Sequence, residues 1–320
     1  MSKSIDSQEK RLAELKREIT KRGFNRHASR LQTVSELPVE LQSSRVAALA
    51  VQEDIQSIIF FPQQIQRGWH YVPKQALLFT STGVIHLLGS IWPGEEPQVT
   101  CLEGCGLLYM KVTLLLLYGF LEIVAQGQDS PIRLGMEFNT VAWCFLSSPL
   151  RQFLRASHAQ VGSSASSDKI SSLLRRQALE TLPIKFANGV KIYGLLPGEE
   201  LEELVFQPGS WKRWLHFFQK PVLANTLLLL TTNYMVVIGE DLDVNQGWLL
   251  SYIPRSNIIG IQQRSCSQWD ELSVQVRRGE QAADFEFVLA NEAVEDWRIR
   301  WMQHGGHWQT IAAPIMPDRS

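Results

Sequence analysis

Residues whose types could support redox or metal chemistry are few and far apart. Cys101 and Cys105 form a CxxxC pair, a spacing that fits a redox or metal pair. No second ligand pair stands at a suitable spacing, so we interpret both cysteines as small apolar residues around a Gly-rich turn. The acidic run Glu199–Glu203 could serve a metal or a partner, but we interpret it as the solvated start of a strand or helical turn. The sequence therefore predicts no metal site and no cofactor.

Motifs that pair a nucleophile with a base are absent from the sequence. It contains no GxSxG, no HExxH, no P-loop and no GxGxxG with a well-placed acidic residue. Dispersed histidines could bind a ligand or titrate, but we interpret them as partly packed surface residues. Six of the seven histidines are His70, His86, His158, His216, His304 and His307. We predict no catalytic residue, and an enzyme with an unrecognised site is the third functional hypothesis.

Basic residues alternate with large aromatic residues in one stretch of each half. In the second half these residues are Lys212, Arg213, Trp214, Phe217, Phe218 and Lys220. In the equivalent place, the first half has Arg67, Trp69, Tyr71 and Lys74. Cationic groups attract phosphates and aromatic rings insert at interfaces, so peripheral binding to an anionic membrane is one hypothesis. The alternative is that the two aromatic loops bury each other in a contact between domains.

Length and composition indicate an ordinary globular protein with two domains. The chain has 320 residues, of which 45% are hydrophobic and 20% charged, and domains contain roughly 100–200 residues. The net charge of −1 excludes a global basic field, so no nucleic-acid partner is expected. The N-terminus is charged and lacks an apolar signal region, and the four cysteines are scattered. We expect a cytoplasmic protein, with a peripheral position at the inner face of the membrane as an option.

The most apolar segment runs from Leu107 to Ala125 and is close to a membrane span in length. Lys111 and Glu122 within it, its strand-favouring composition and the kink-forming Gly119 argue against a transmembrane helix. Two consecutive strands of a buried sheet are the predicted structure.

A strand–turn–strand pattern occurs twice, at Leu77–Leu87 and at Leu228–Ile238, and each copy predicts a tight β-hairpin. Gly83 and Asn233 stand at the turns, where we expect positive φ angles. An acidic start, an apolar strand and a proline also recur, at residues 53–62 and 199–208. The spacing between copies is about 146 residues before the intervening loop and about 151 at the hairpin, which indicates a small insertion in the second copy.

Each half ends in a predicted amphipathic helix. Asn139 opens the first helix, whose apolar residues include Phe145 and the stretch Leu150–Leu154. Pro149 lies inside this pattern and predicts either a kink or a break. Asn291 opens the second helix, and one face of that helix carries large apolar residues. These residues are Val294, Trp297 and Trp301.

Shifts in composition set the predicted domain boundaries. Residues 1–46 are expected to form an N-terminal amphipathic helix over residues 1–22 and a polar connector, which has a helical turn at Arg26–Leu31. Residues 47–156 form the first domain, and residues 157–183 form a Ser-rich linker with a short helix. Residues 184–306 form the second domain, and residues 307–320 form a tail. The N-terminal helix could join two copies of the chain, dock on its own domain or fray.

On these features the chain resembles the pleckstrin-homology-like (PH-like) superfamily, in the form of two tandem bacterial PH-like domains. The strand–turn–strand stretches, the segment Leu114–Ile123 and the closing helices after Asn139 and Asn291 carry the resemblance, which covers roughly residues 47–155 and 184–304. It implies a mainly β fold with α-helices (α+β). Each domain would be an antiparallel β-barrel or sandwich closed by a C-terminal amphipathic helix, in addition to the N-terminal helix. A lipocalin-like or other small barrel is the alternative fold.

The resemblance also implies a function in binding. PH-like domains often bind ligands near their first strand-to-strand loops, where both basic–aromatic stretches lie. We expect a non-enzymatic interaction or scaffold protein that binds a protein partner. Peripheral binding to an anionic membrane is the second hypothesis, and a homo-oligomer formed through the N-terminal helix is a further option.

Overall fold

The structure is a computed structural model that describes residues 28–66, 70–90, 92, 94–157, 179–214, 218–242, 247–266 and 269–311. The helix predicted over residues 1–22, most of the Ser-rich linker and the last nine residues lie outside the described residues.

The described chain is mainly β, with a few helices, as predicted. The strands of the first half are β1 (Ser29–Leu31), β2 (Ile55–Phe61), β3 (Gln64–Gln66), β4 (His70–Val72), β5 (Gln75–Thr80), β6 (Gly83–Leu88), β7 (Gln98–Glu103), β8 (Leu107–Leu115), β9 (Tyr118–Ala125) and β10 (Ile132–Asn139). Those of the second half are β11 (Leu201–Gln207), β12 (Ser210–Trp214), β13 (Phe218–Leu223), β14 (Thr226–Thr231), β15 (Tyr234–Gly239), β16 (Trp248–Pro254), β17 (Ile258–Ser265), β18 (Asp270–Arg278), β19 (Gln281–Leu289) and β20 (Trp308–Ile311). The helices are α1 (Ser44–Gln52), α2 (Trp143–Ala156), α3 (Ile184–Gly189) and α4 (Asn291–Gln303).

Three open sheets contain most of the strands. Their strand orders are β1-β2-β5-β6-β7, β10-β9-β8-β16-β15-β14-β11 and β19-β18-β17-β20. The hairpins β3–β4 and β12–β13 form two small separate sheets. The prediction of closed barrels is wrong for the described residues, because the outer edge of β8 pairs with β16 of the other half. That pairing extends one sheet across both halves instead of curling each half onto itself.

The order of elements repeats with the predicted spacing. In each half, four antiparallel strands (β2, β5, β6, β7 or β11, β14, β15, β16) precede three more strands and a helix. Ile55 and Leu201 occupy the same pairing position, and both precede a register shift. Gln75 and Thr226 begin corresponding strands, and they lie further apart along the chain than Ile55 and Leu201 do. The extra residues of the second copy therefore lie in hairpin β12–β13, which is longer than β3–β4.

Both hairpins form, but their turns differ from the prediction. Leu78 pairs with Ile85, and Leu229 pairs with Val236. Gly83 and Asn233 are not among the described residues with positive φ. Gly83 is required for another reason, since a Cβ there would lie 2.2 Å from a carbonyl oxygen of β7. The Glu199 carboxylate accepts hydrogen bonds from Asn233 and so holds the second turn without a left-handed residue.

The apolar segment Leu107–Ala125 forms the antiparallel pair β8–β9, as predicted. The tip of this pair carries Leu116, which has a φ of 50° and is exposed. Among the described helices, none has both the length and the apolar character needed to cross a bilayer.

The closing helices bury the predicted faces. Val294, Trp297 and Trp301 of α4 are buried against the second half. Helix α2 buries the stretch around Leu150 and runs through Pro149 without a break, so the kinked form of that prediction, not the broken one, is compatible with the structure. The hydroxyl of Ser157, just after α2, lies 2.7 Å from the Tyr234 hydroxyl, a buried contact with the second half.

Segments predicted as connector or tail contain regular structure. Residues 29–31 form a strand paired with β2 instead of the predicted helical turn at Arg26–Leu31. Leu37, Leu41 and Val46 pack on the sheet that contains β2. The described part of the connector therefore belongs to a hydrophobic cluster of the first half. Strand β20 lies in the predicted tail, where four residues pair in parallel with β17. Short segments such as these gain their stability from tertiary pairing, which local sequence patterns do not reveal.

Candidate functional site

A cleft of about 650 Å³ opens between the seven-stranded sheet and edge strand β19. This volume is within the usual range of ligand sites, and the lining is mostly apolar. Strand β8 of the first half contributes one wall, while β14–β16 and β19 contribute the others. Lining residues include Lys111, Leu223, Thr226, Val237, Trp269 and Val288.

The hydrophobic core around α4, here called the second core, is covered by a helix at one corner and is open at the cleft. Helix α4 fills the covered corner with Trp297 and Trp301. On the cleft side, Phe285 of β19 packs edge-on against Tyr109 of β8, with ring centroids 5.8 Å apart. Such T-shaped pairs add a favourable quadrupole interaction to apolar burial. Phe285 lines the cleft, and Tyr109 supports it from the core side.

Lys111 places a cation inside the apolar cleft. Its Nζ lies 4.6 Å from the ring centroid of Phe285 and 5.3 Å from that of Tyr109. Its cross-strand neighbour Glu122 is paired with Arg133 at 3.1 Å. Among the described residues, no carboxylate oxygen lies within 4 Å of the Lys111 ammonium. Cation–π contacts orient this ammonium but leave its charge available to an anionic group.

Three acidic residues line the cleft, namely Glu240, Asp241 and Glu286, and Glu240 is held by neighbouring side chains. Glu240 forms an ion pair with Lys185 and accepts a hydrogen bond of 2.5 Å from the Asn225 amide. Lys185 in turn lies 4.8 Å from the ring centroid of Trp248. These contacts fix the position of Glu240, the residue that follows β15. Lys111 and Glu286 are the charged residues of the described lining that have no ion-pair partner among the described residues.

Strand β19 borders the cleft and is an edge strand of its sheet. It pairs with β18 on one side, and no described strand pairs with its other side. Phe287 and Val288 line the cleft at this edge, and the Val288 side chain is exposed. Unpaired strand edges carry backbone donors and acceptors that accept an additional strand.

Most of the predicted basic–aromatic residues that the structure describes lie on the strands of two hairpins. Lys212, Arg213 and Trp214 belong to β12, while Phe218 and Lys220 belong to β13. Phe217, Arg67 and Trp69 lie outside the described residues. The base of the second arm, at Val222 and Leu223, lines the cleft. The structure thus brings the predicted stretch next to the cleft, while mutual burial of the two aromatic loops stays a prediction.

Two predicted residues of the first arm make local contacts. The Tyr71 hydroxyl donates to Gln63 Oε1 at 3.4 Å, and burial raises the pKa of this phenol. Lys74 Nζ is 2.5 Å from Glu40 Oε1. The Lys74 charge is therefore already paired, which weakens the first arm as a phosphate-binding surface.

The cysteine pair has no sign of activation. Cys101 lies on β7 and Cys105 in the following turn, and both thiols are free. Burial raises the pKa of both thiols, and Glu103 raises that of Cys105 further. A raised pKa lowers the thiolate fraction that redox chemistry needs. In the part of the chain that the structure describes, no group of three or more His, Cys, Asp or Glu could hold a metal ion.

The acidic run holds structural elements together. Glu199 accepts hydrogen bonds from the Thr231 hydroxyl at 2.9 Å and from the backbone and amide of Asn233 at 2.9 and 2.7 Å. Glu202 pairs with Arg255 at 2.6 Å, and Glu203 pairs with Arg300 of α4 at 2.7 Å. The run therefore anchors the second hairpin and the closing helix, a role that its position at a strand start did not reveal.

His86 is buried, contrary to its interpretation as a surface residue. Its Nε2 lies 3.2 Å from Gln75 Oε1, and the Gln75 amide donates to the Glu137 carbonyl at 2.8 Å. Burial lowers the pKa of His86 to about 4, which keeps the ring neutral near pH 7. This bridge joins β5 and β6 to β10 inside the first half.

Sequence reasoning missed the cleft. In the sequence, Lys111 argues only against a membrane span, and no pattern distinguishes Trp269 or Phe285. The one available signal was a lysine in an otherwise apolar strand pair, since such a residue needs a reason to be there. Most of the residues that surround it belong to strands of the other half, so only tertiary structure assembles the site.

Comparisons with known proteins assign no family to the chain. No family model matches the chain, and no curated protein matches it. Among solved structures, the chain is similar to the hSac2 domain from the human phosphoinositide phosphatase Sac2, at 14% sequence identity. That match covers 49% of this chain and 96% of the other, with a TM-score of 0.26. A likeness at this score carries no argument about fold or function.

Proposed function

We propose that this is a non-enzymatic interaction protein, built from two PH-like units, that binds a segment of a protein partner in the cleft beside β19. The observation that carries the proposal is Lys111, a cation within an apolar cleft and without a described carboxylate partner. Buried or half-buried charges are costly unless they are compensated, so a site of this kind favours an anionic ligand.

The repeated order of elements supports the PH-like assignment. Four strands, three strands and a closing helix occur in the same register in both halves. The units share the seven-stranded sheet, so they are two sandwiches joined by β8–β16 pairing and not two separate barrels. In this arrangement the first unit supplies Lys111 to the cleft of the second, which makes the site dependent on both units.

The cleft favours an extended segment with an apolar side chain close to an acidic one. Strand addition at the free edge of β19 would satisfy the backbone of such a segment. Its apolar side chain would lie against Phe287 and Val288, and its carboxylate would meet the Lys111 ammonium. A charge-assisted contact of this kind contributes about 1.5–3 kcal/mol, or roughly ten- to a hundredfold in affinity.

Binding to an anionic lipid is a second candidate function. The base of arm β12–β13 lines the cleft, and the arm carries Lys212, Arg213 and Lys220. A phosphate at the arm would place its acyl chain toward the apolar walls. Under this proposal the protein is cytoplasmic and lies at the inner face of the membrane.

A binding experiment separates the two candidates. Linear peptides selected from a random displayed library would be measured against the full chain by fluorescence anisotropy. Vesicles of phosphatidylcholine with and without phosphatidylserine would be tested in parallel by flotation. We expect Lys111→Met to weaken binding of acidic–apolar peptides at least about tenfold. The matched control Lys191→Met changes an exposed lysine outside the cleft lining and should leave the affinity unchanged.

Each outcome has a defined meaning when thermal unfolding shows that the variants are folded. Selected peptides that bind equally well to the wild type and to Lys111→Met contradict the peptide proposal. Flotation that requires phosphatidylserine and is lost when Lys212 and Arg213 are both changed to alanine supports the lipid candidate instead. The absence of both peptide selection and flotation would reject the cleft as a binding site for either ligand.

A further inference from the structure

The fifth strand of each unit has its outer edge covered in a different way. In the first unit this strand is β8, and Met110–Leu114 pair antiparallel with β16. In the second unit it is β17, which follows β16 in the chain as β8 follows β7. Its outer edge pairs with β20, a strand of four residues from the C-terminal region. The same edge is therefore paired with a strand of the other unit in one case and with β20, which follows α4, in the other.

Strand β20 occupies the positions that join units elsewhere in the chain. It pairs with Ile261–Arg264, which correspond to Met110–Thr113 of β8. Those residues of β8 pair with β16. The β20 strand runs parallel to β17, whereas β16 runs antiparallel to β8, and most of the β20 residues are exposed. A short exposed strand at an edge is held by few contacts.

A glutamine specific to the second unit clamps β20. Gln263 Oε1 accepts hydrogen bonds from Trp308 Nε1 at 3.1 Å and from the Thr310 hydroxyl at 3.3 Å. Its amide nitrogen donates to Asp270 Oδ2 at 2.9 Å, and Asp270 is buried. The corresponding residue of the first unit is Val112. These hydrogen bonds are thus present in the second unit, where β20 covers the edge of β17. They are absent in the first unit, where β16 covers the edge of β8.

The opposite end of the repeat carries the complementary edge. Strand β7 corresponds to β16 and pairs with β6, and no described strand lies along its outer side. Cys101 of β7 corresponds to Tyr252 of β16. Tyr252 is buried at the junction between units, whereas Cys101 is exposed. The side chain that one unit buries in the junction is open to solvent on the other.

We propose that β7 of one molecule pairs with β17 of a second copy of this chain, and that β20 is a removable cap on that edge. The β8–β16 register predicts antiparallel pairs of Cys101 with Ile261, Thr100 with Gln262 and Val99 with Gln263. This contact is heterologous, so it adds molecules head to tail. The cap keeps the edge from associating until β20 is displaced, as proteins commonly protect edge strands.

Sedimentation of full-length variants tests the proposal. The release variant combines Trp308→Ala, Gln309→Pro and Thr310→Ala, which removes both bonds to Gln263 and prevents regular pairing. We expect it to form dimers and larger species at concentrations where the wild type has a lower average mass. Adding Cys101→Lys should return it to the monomer, because the lysine would be buried at the new junction. Thermal unfolding and circular dichroism would confirm that the variants remain folded.

Disulfide trapping supplies a second measurement that does not depend on altering β20. With the native cysteines replaced by serine, Thr100→Cys and Gln262→Cys should give intermolecular disulfides, several-fold more of them when the release changes are added. The control Thr100→Cys with Asp284→Cys places the second thiol on β19 and should trap little. The proposal is overturned if a folded release variant stays monomeric and untrapped, or if its association persists with Cys101→Lys.

Discussion

Three corresponding positions are bridged by hydrogen bonds in the first unit and line an open cleft in the second. In the first unit, His86, Gln75 and the Glu137 carbonyl form a buried bridge between strands. The corresponding residues of the second unit are Val237, Thr226 and Val288, and all three line the open cleft. The first unit is thus bridged by hydrogen bonds at the place where the second unit has an open cleft.

This difference shows that one strand arrangement, present in both halves, can have either a closed or an open corner. The register of the strands is the same in both units, so the change from a closed to an open corner comes from side chains. Removal of the polar bridge leaves space, and the shared sheet brings Lys111 of the first unit to the edge of that space. The first unit therefore supports the site, and the second unit provides most of its walls.

The largest expected effect contrasts the two closing helices. Trp297 of α4 corresponds to Leu146 of α2, and both side chains are fully buried. Trp297→Ala should lower the free energy of unfolding by about 3–5 kcal/mol, and Leu146→Ala by about 2–5 kcal/mol. Urea denaturation measures both, with the exposed Met302→Ala as a control within about 0.5 kcal/mol of the wild type. A small loss for Trp297→Ala would mean that α4 does not close the second core.

The buried bridge predicts a pH dependence that belongs to the first unit. The pKa of His86 is lowered by burial from 6.5 to about 4, so between these values the unfolded chain binds a proton that the folded chain does not. Stability from this residue is therefore complete above about pH 6.5 and is lost as the pH falls toward 4. The loss is on the order of 3 kcal/mol, measured by urea denaturation across this range.

A matched variant isolates the contribution of this histidine. Gln75→Thr with His86→Val installs the residues of the second unit, so neither polar partner is left alone in the core. Its stability relative to the wild type should rise by about 3 kcal/mol as the pH falls from about 7 to 4. An identical pH profile for both proteins would show that burial does not lower the pKa of His86 in the folded state.

Features that repeat along the sequence could be predicted, and features assembled across it could not. The hairpins around Gly83 and Asn233, the strand pair after Leu107 and the buried Trp297 all follow from local periodicity. The β8–β16 pairing depends on two edges meeting between units, and periodicity carries no information about which edges meet. The pattern of each half alone predicts a barrel or a sandwich, and it gives no indication that the two halves share a sheet.

The candidate site also combines residues that the sequence pattern predicts with a cleft that it does not predict. Lys212–Lys220 were identified by composition, and the structure places their hairpin beside the cleft. The cleft itself depends on what is missing from the second unit, namely the bridge that His86 makes in the first. Such an absence becomes visible only when the two units are aligned by strand register rather than by sequence pattern.

The smallest expected effect concerns the carboxylates that reach the two hairpin turns. Glu199 accepts three hydrogen bonds at the second turn, at 2.7–2.9 Å. Its counterpart in the first unit, Glu53, accepts one from the Thr82 hydroxyl at 3.4 Å. Glu199→Ala should lower the free energy of unfolding by about 2 kcal/mol, and Glu53→Ala by less than about 0.5 kcal/mol, measured by urea denaturation. Equal losses would mean that Glu53 and Glu199 stabilise their turns equally. The structural difference between the two units would then not extend to the hairpin turns.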